Sequence, residues 1–315
     1  MLFLTLFLFI QLSLANEMCQ YNNERIVATT TVLISFCSFK LIKSDSIGGV
    51  VNCQTSGMTI TCNQCNFVYC GTSVQGGVFY IDTKEIYLDK ICGSHCFAQS
   101  QYHFAYLSSS IKLSLDYLSI QHCWNNSQQT TRYNIYIVYG QHVLQNTNSS
   151  NNIVDMTSSF VIEYDTSLQA THNTFASNSA TYYTCVYFWG GSGTCNLDHS
   201  IFHNNSVPSS AYGVVLLSGD AFIEISNTQF SSNYYTLLYV QRGALTITSC
   251  QIQHQYPLSI TVPSGSVIGS IITTASITNN YKFIHHLCFP TNSYSFMIPK
   301  QISQYRIFYF CLLLM

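Results

Sequence analysis

Apolar and polar positions recur in one frame along most of this chain. Cys195-x-Leu197-x-x-x-x-Phe202-x-x-Asn205 is followed by Ile223-x-Ile225-x-x-x-x-Phe230-x-x-Asn233, and Leu168-x-Ala170-x-x-x-x-Phe175-x-x-Asn178 precedes both. The three Phe residues stand 27 and 28 positions apart. Taking the Phe position as an anchor, the same upstream apolar pair places further anchors at Phe39, Phe67, Gly93 and Ile120, and later at Ile252 and Ile277. The 55-residue gap from Ile120 to Phe175 spans about two periods, which puts one degenerate coil near Thr147. A constant period of this size is the mark of a solenoid, because each repeat buries its apolar face only against its neighbours.

Each coil carries a second apolar run past its anchor. Gly76-Gly77-Val78-Phe79-Tyr80-Ile81, Ile135-Tyr136-Ile137-Val138 and Gly213-Val214-Val215-Leu216-Leu217 are examples. These runs are short and rich in β-branched and aromatic residues, which suits strands, and the mature chain holds no convincing 3.6-residue stripe. Two or three strands per coil give an all-β parallel β-helix of about ten coils over residues 32–284. Residues 16–31 are then an N-terminal cap and 285–315 a C-terminal cap or tail.

The motif pair Phe-x-x-Asn (Phe175/Asn178, Phe202/Asn205, Phe230/Asn233) and Gly-Gly-Val (Gly48 to Val50, Gly76 to Val78) resembles the repeat of polymorphic outer-membrane proteins. Similar repeats occur in surface proteins of parasitic protists. The resemblance covers roughly residues 32–284, and it implies a right-handed β-helix displayed outside the cell in an adhesive role. Three features depart from the family. Gly-Gly is complete in only two coils, Cys replaces Asn in three, and no C-terminal barrel follows.

Residues 1–15 read as a signal peptide, nearly all apolar to Leu14 with small residues at Ser13 and Ala15 before the cut. About 12 apolar residues are too short to cross a bilayer, as is the nine-residue run Ile307 to Met315. The expected location is therefore secreted or on the extracellular surface, with no spanning segment in the mature chain. Only 8% of residues are charged and the formal net charge is −2. Nothing clusters Lys and Arg as nucleic-acid binding requires, so no nucleic-acid partner is expected.

The 14 cysteines fall into columns of the repeat. Cys70, Cys96 and Cys123 each lie three residues past an anchor, in the Asn position; Cys37, Cys65 and Cys250 lie two residues before one. In a secreted chain Cys37, Cys65, Cys70, Cys96 and Cys123 are candidates for bridges between rungs, or for stacked free thiols. Cys62-x-x-Cys65 and Cys92-Gly93-Ser94-His95-Cys96 have metal-ligand spacing, but the reading adopted here contains no metal site and no cofactor. Asn125, Asn148 and Asn204 open Asn-x-Ser sequons for glycosylation. Asn204 is expected to face solvent, and the Asn/Ser-rich stretch 145–152 to leave the helix as a loop.

Candidate chemistry is sparse. Asp89, Asp116 and Asp198 share a column with Asn63, Thr171, Ser226 and Thr248, a mixture that a turn position selects. A polysaccharide lyase or hydrolase would instead need carboxylates converging beside a Lys or Arg. His95 and His122 occupy equivalent positions, with His254 in the same column, as an outward polar rung or a metal pair. Trp189-Gly190-Gly191-Ser192-Gly193 lacks the Lys and Ser/Thr of a phosphate loop. Many of the 23 tyrosines, among them Tyr102, Tyr106, Tyr133, Tyr136, Tyr182 and Tyr183, fall in loops and second strands, where amphipathic rings serve recognition. The expectation is a structural or adhesive protein with a host-surface or glycan partner and no catalysis, and the alternative is a glycan-active enzyme.

Overall fold

The computed structural model describes residues 25–124, 132–164, 167–190, 193–209, 211–220, 222–253, 260–261 and 267–273. Among them there is no helix, and all the strand pairings are parallel. The expected leader, the anchor at Ile277, Asn125, His254 and the C-terminal tail lie outside the described residues.

Each coil runs along three faces. A long face carries the second apolar run, as in Val51↔Phe79↔Ala105↔Ile135↔Phe160↔Val186↔Val215↔Leu238. A middle face carries the upstream apolar pair, as in Ile60↔Ile86↔Leu113↔His142↔Leu168↔Cys195↔Ile223↔Leu245. A short face carries the anchors in a single column, Phe39↔Phe67↔Gly93↔Ile120↔Ser149↔Phe175↔Phe202↔Phe230↔Ile252. The parallel β-solenoid read from the repeat is therefore the fold, with its anchors in one inward stack.

That stack packs tightly. Phe175, Phe202 and Phe230 are buried, with successive ring centroids 4.7 and 5.0 Å apart and near-parallel planes. Phe39 and Phe67 stack likewise at 5.1 Å. Where the column holds Gly93, the ring of Phe104 fills the space: a Cβ at Gly93 would lie 2.1 Å from it. The small residue is thus required by its neighbour rather than by its own backbone.

Two corners flank the short face, and at each one residue adopts the left-handed region. Before the face these include Phe36, Gln64, Lys90, Tyr117, Asn146, His172, His199, Asn227 and Ser249; after it, Leu41, Tyr69, His95, His122, Asn151, Ser177, Asn204 and Ser232. One left-handed residue between two extended ones bends the strand sharply, and repeating it keeps the corners in line. Most of these residues are neither Gly nor Asn, so the corner geometry overrides local preference. The Gly-Gly pair serves the third corner. Gly76 has φ +69°, and a Cβ on Gly77 would fall 1.9 Å from the His103 carbonyl oxygen. In the next coil Tyr102 takes the same left-handed place without glycine.

The degenerate coil expected near Thr147 is anchored by Ser149, which pairs with both Ile120 and Phe175. One expectation is corrected here. The stretch 145–152 is no excursion: Gln141–Gln145 and Asn148–Ser150 are strands of the middle and short faces. Its polar side chains turn inward or along the stack and bond to the adjacent coils, which composition alone does not reveal.

Phe202→Ala should cost roughly 3–5 kcal/mol in denaturant unfolding, the usual penalty for emptying a large core position. A loss below about 1 kcal/mol would mean that the stacked column is not a packed core.

Candidate functional site

The Asn of Phe-x-x-Asn follows the left-handed corner residue and turns back into the solenoid. Asn152, Asn178, Asn205 and Asn233 are all buried and form one continuous ladder. The backbone N–H of Asn178 donates to Asn205 Oδ1 (3.1 Å), and that of Asn205 to Asn233 Oδ1 (3.0 Å). Each Nδ2 reaches back one coil to the anchor carbonyl, Asn178 to Ser149 (2.8 Å), Asn205 to Phe175 (2.8 Å) and Asn233 to Phe202 (2.9 Å). One amide thus satisfies two backbone groups of the preceding coil, the N–H of its Asn and the carbonyl of its anchor. A buried backbone group left unpaired costs as much as a lost bond.

Cys70, Cys96 and Cys123 continue this ladder toward the N-terminus. Cys123 N–H donates to Asn152 Oδ1 (2.8 Å), joining the two segments. The Cys70 thiol donates to the Phe39 carbonyl and the Cys96 thiol to the Phe67 carbonyl, each at 3.5 Å. Cysteine therefore copies the donating half of the Asn role with a weaker donor. The thiols also adjoin one another. Beside Cys96, and buried, the Cys70 thiol is held well above its ordinary range. Burial, then the Cys123 thiol, raises Cys96 likewise. Such thiols stay protonated and unreactive.

Of the two readings, bridges between rungs or stacked free thiols, the second holds at four positions: Cys65, Cys70, Cys96 and Cys123 are free thiols. Cα spacing alone suggests bridging. However, residues directly opposed on parallel strands keep their Cβ atoms near the strand spacing of about 4.8 Å, beyond the roughly 3.5–4.5 Å that a disulfide needs. Cys37 is buried one rung before Cys65.

The sequons separate. Asn148 is 2% exposed and its Nδ2 donates to Ser119 Oγ (3.3 Å), so in the folded chain it offers no surface for a glycan. Asn204 is a half-buried corner residue whose Nδ2 donates to Ser177 Oγ (3.1 Å).

The aspartate column runs along the corner before the short face. Asp198 accepts from Ser226 Oγ (2.7 Å) and Asn227 Nδ2 (2.9 Å) of the next coil, and lies 2.6 Å from His199 Nδ1. Burial opposes its ionisation, but these three partners together hold its carboxyl below the ordinary value. Asp116 accepts from Asn146 Nδ2 (2.9 Å) in the same manner. These carboxylates tie coil to coil along a line. His95 and His122 stack face to face with centroids 5.1 Å apart. Their in-plane lone pairs run parallel rather than converging, and among the described residues no group of three or more His, Cys, Asp or Glu could hold a metal ion.

The long face presents a different surface. Asn52, Tyr80, Tyr106, Tyr136, Val161, Tyr187, Leu216 and Tyr239 form one register column on its outer side, with Val161 and Leu216 buried in it. Tyr80 and Tyr106 stack at 4.7 Å, and Tyr106 and Tyr136 at 6.0 Å. Tyr102 and Tyr133, stacked at 6.0 Å, lie alongside, 5.1 Å from Tyr106 and 5.3 Å from Tyr136 respectively. A second group joins Tyr183, Tyr187, Tyr212 and Tyr239, with exposed Trp189 beside Tyr187. Partial burial, then neighbouring phenols, pushes Tyr102 up to about 12, as it does Tyr183. The rings remain neutral phenols. Sequence reading named many of these tyrosines but missed Tyr80, Tyr187, Tyr212 and Tyr239, whose signal was the register of the second runs. Tyr182, also named, is exposed.

No family model matches the chain, and neither the curated proteins nor the solved structures give a match.

Asn205→Ala should destabilise the fold by roughly 2–4 kcal/mol, since it orphans the buried Asn178 N–H and Phe175 carbonyl. Cys96→Asn, which supplies the side chain used four times in the same column, should stay within about 1 kcal/mol of the parent in the same unfolding assay. Comparable losses in both variants would show that the two segments are not one ladder.

A pH prediction comes from His103, which is buried and accepts from Ala98 N–H through Nδ1 (3.2 Å). Burial lowers its pKa to about 3, and the Ala98 bond only partly offsets this. The unfolded imidazole titrates near 6.5, so between these values the unfolded chain binds the extra proton. Stability is then full above about pH 6.5 and falls as pH drops toward 3, by on the order of 4 kcal/mol. His103→Asn, which keeps an acceptor for Ala98 N–H, should flatten that part of the stability–pH curve. An unchanged slope would count against a buried neutral imidazole.

Proposed function

We propose that this protein is a secreted or surface-displayed β-solenoid with a structural and adhesive role, and that the tyrosine-lined long face is its contact surface for a glycan. The observation that carries the reading is the five-tyrosine array of Tyr80, Tyr102, Tyr106, Tyr133 and Tyr136, with neighbouring rings 4.7–6.0 Å apart on one flat, half-exposed face. Stacking hides the ring faces against one another and turns ring edges and hydroxyls outward. Such a comb offers hydrogen bonds and apolar edges with few charges, Asp82 and Glu163 being the carboxylates alongside it. Neutral polyhydroxylated chains suit that surface. The rings are already held in place, so little side-chain entropy remains to be lost on contact.

Location outside the cell is supported by the apolar N-terminus and by the abundance of neutral polar residues. The Phe-x-x-Asn and Gly-Gly-Val pairing supports a repeat related to that of polymorphic outer-membrane proteins, with cysteine taken into the Asn ladder.

The test is a glycan and host-surface array probed with the secreted chain and with Tyr106→Ala/Tyr136→Ala. Binding to at least one glycan class, falling tenfold or more in the variant, is the expected result. Equal binding by parent and variant would remove the tyrosine face from the account, and no binding at all would remove the adhesive role.

A further inference from the structure

Inside the corner where each coil enters the long face runs a buried column that is apolar at both ends. Register places Val78 and Phe104 in successive coils, then Asn134, then Cys185, Val214 and Leu237. Between Asn134 and Cys185 the chain makes a bulge. Tyr133 pairs with Thr157 and Ile135 with Phe160, so Ser158 and Ser159 together stand opposite the single residue Asn134. The coil above repeats the mismatch, Thr157 pairing with Thr184 and Phe160 with Val186 across Cys185. Bulges of this kind are local devices that redirect side chains and leave ladder groups unpaired.

The bulge is also where buried polar atoms lack partners. Asn134, Thr157, Ser158 and Ser159 are fully buried, yet Asn134 Oδ1 and the hydroxyls of Thr157 and Ser159 have no hydrogen-bond partner within the protein, and the Ser158 hydroxyl has only the weakly bonding Cys185 thiol beside it. Asn134 is held in place by its other end, Nδ2 donating to the Ser158 carbonyl (3.4 Å). The site connects inward as well. The Cys185 thiol donates to Asn205 Oδ1 (3.5 Å), and the Ser158 and Asn178 side chains lie beside that sulfur. Polar side chains of neutral chemistry, Asn134, Ser158 and Ser159, therefore stand in a column that valine and phenylalanine occupy in other coils, with Thr157 in the position just before it.

We propose that the Asn134–Thr157–Ser158–Ser159 bulge is an internal solvent site that holds one or two ordered water molecules between the long face and the Asn ladder. Leaving these atoms dry is untenable on magnitude. Each unpaired buried group carries its full desolvation penalty, so together they would rival the whole stability of a typical domain. Water meets the demand because it donates and accepts at once, with about three bonds per buried molecule. A cation is the poorer occupant, since no carboxylate belongs to this group and a bare charge here would be uncompensated.

The experiment is a high-resolution crystal structure of the intact chain, with a second crystal soaked in rubidium, together with unfolding of Ser158→Ala/Ser159→Ala. Expected are discrete water peaks within hydrogen-bond distance of Asn134 Oδ1 and at least one of the three hydroxyls, unchanged by rubidium. The double variant should lose a few degrees in Tm, because the waters lose partners. Density that rubidium replaces would overturn the proposal in favour of a cation site. Empty density with hydroxyls bonded to carbonyls, or a variant that gains stability, would overturn it in favour of a dry core. Neither outcome bears on glycan binding, which is read separately at the tyrosine face.

Discussion

Everything in this molecule depends on coils stacking in strict register. Parallel backbone bonds fix the spacing between coils, but they do not by themselves prevent a coil from slipping by one residue, which would exchange inward and outward side chains. The ladder from Cys70 to Asn233 supplies that restraint. An Asn amide whose oxygen accepts the preceding coil's Asn N–H and whose nitrogen donates to that same coil's anchor carbonyl satisfies both only at one register. The left-handed corner residue before it sets the direction in which the amide points, so the strained corners and the ladder are one device.

Given that register, the faces acquire different roles. The inward columns fill with Ile, Leu, Val and Phe. The Asp198 and Asp116 contacts lash one edge together. On the long face, five of eight coils add a tyrosine at the same place, and short-range repetition becomes an extended surface. The phenols stack because the coils do, with no separate packing instruction. The same logic accounts for the thiols: a cysteine fits the ladder as a donor, and Cys70, Cys96 and Cys123 stay free in it.

Much of the fold was legible in the sequence, because the repeat is long and its apolar ladder strong. Phe175, Phe202 and Phe230 could be aligned by counting, and the Cys70, Cys96 and Cys123 column emerged from the same count. What could not be read was whatever broke the frame. Ser149 in an anchor position gives no apolar signal, so its coil shows only as a gap of about two periods and its polar stretch reads as a loop. Asn148 matched a sequon, but its burial is a property of the neighbouring coil. The tyrosine face was only half visible, since the outward column alternates with buried residues and is interrupted by Val161 and Leu216. Nothing in the order of residues revealed the bulge at Ser158 and Ser159, which exists only relative to the coils on either side.

A double-mutant cycle between Asn178 and Asn205 addresses the register-fixing ladder most directly. These residues are 27 apart in sequence and share two hydrogen bonds across adjacent coils. Denaturant unfolding of the parent, Asn178→Ala, Asn205→Ala and the double variant yields their coupling. The account predicts a coupling of at least about 0.5–1.5 kcal/mol, the range for contacting partners in one network. Additive effects, with coupling near zero, would contradict a ladder that locks one coil to the next.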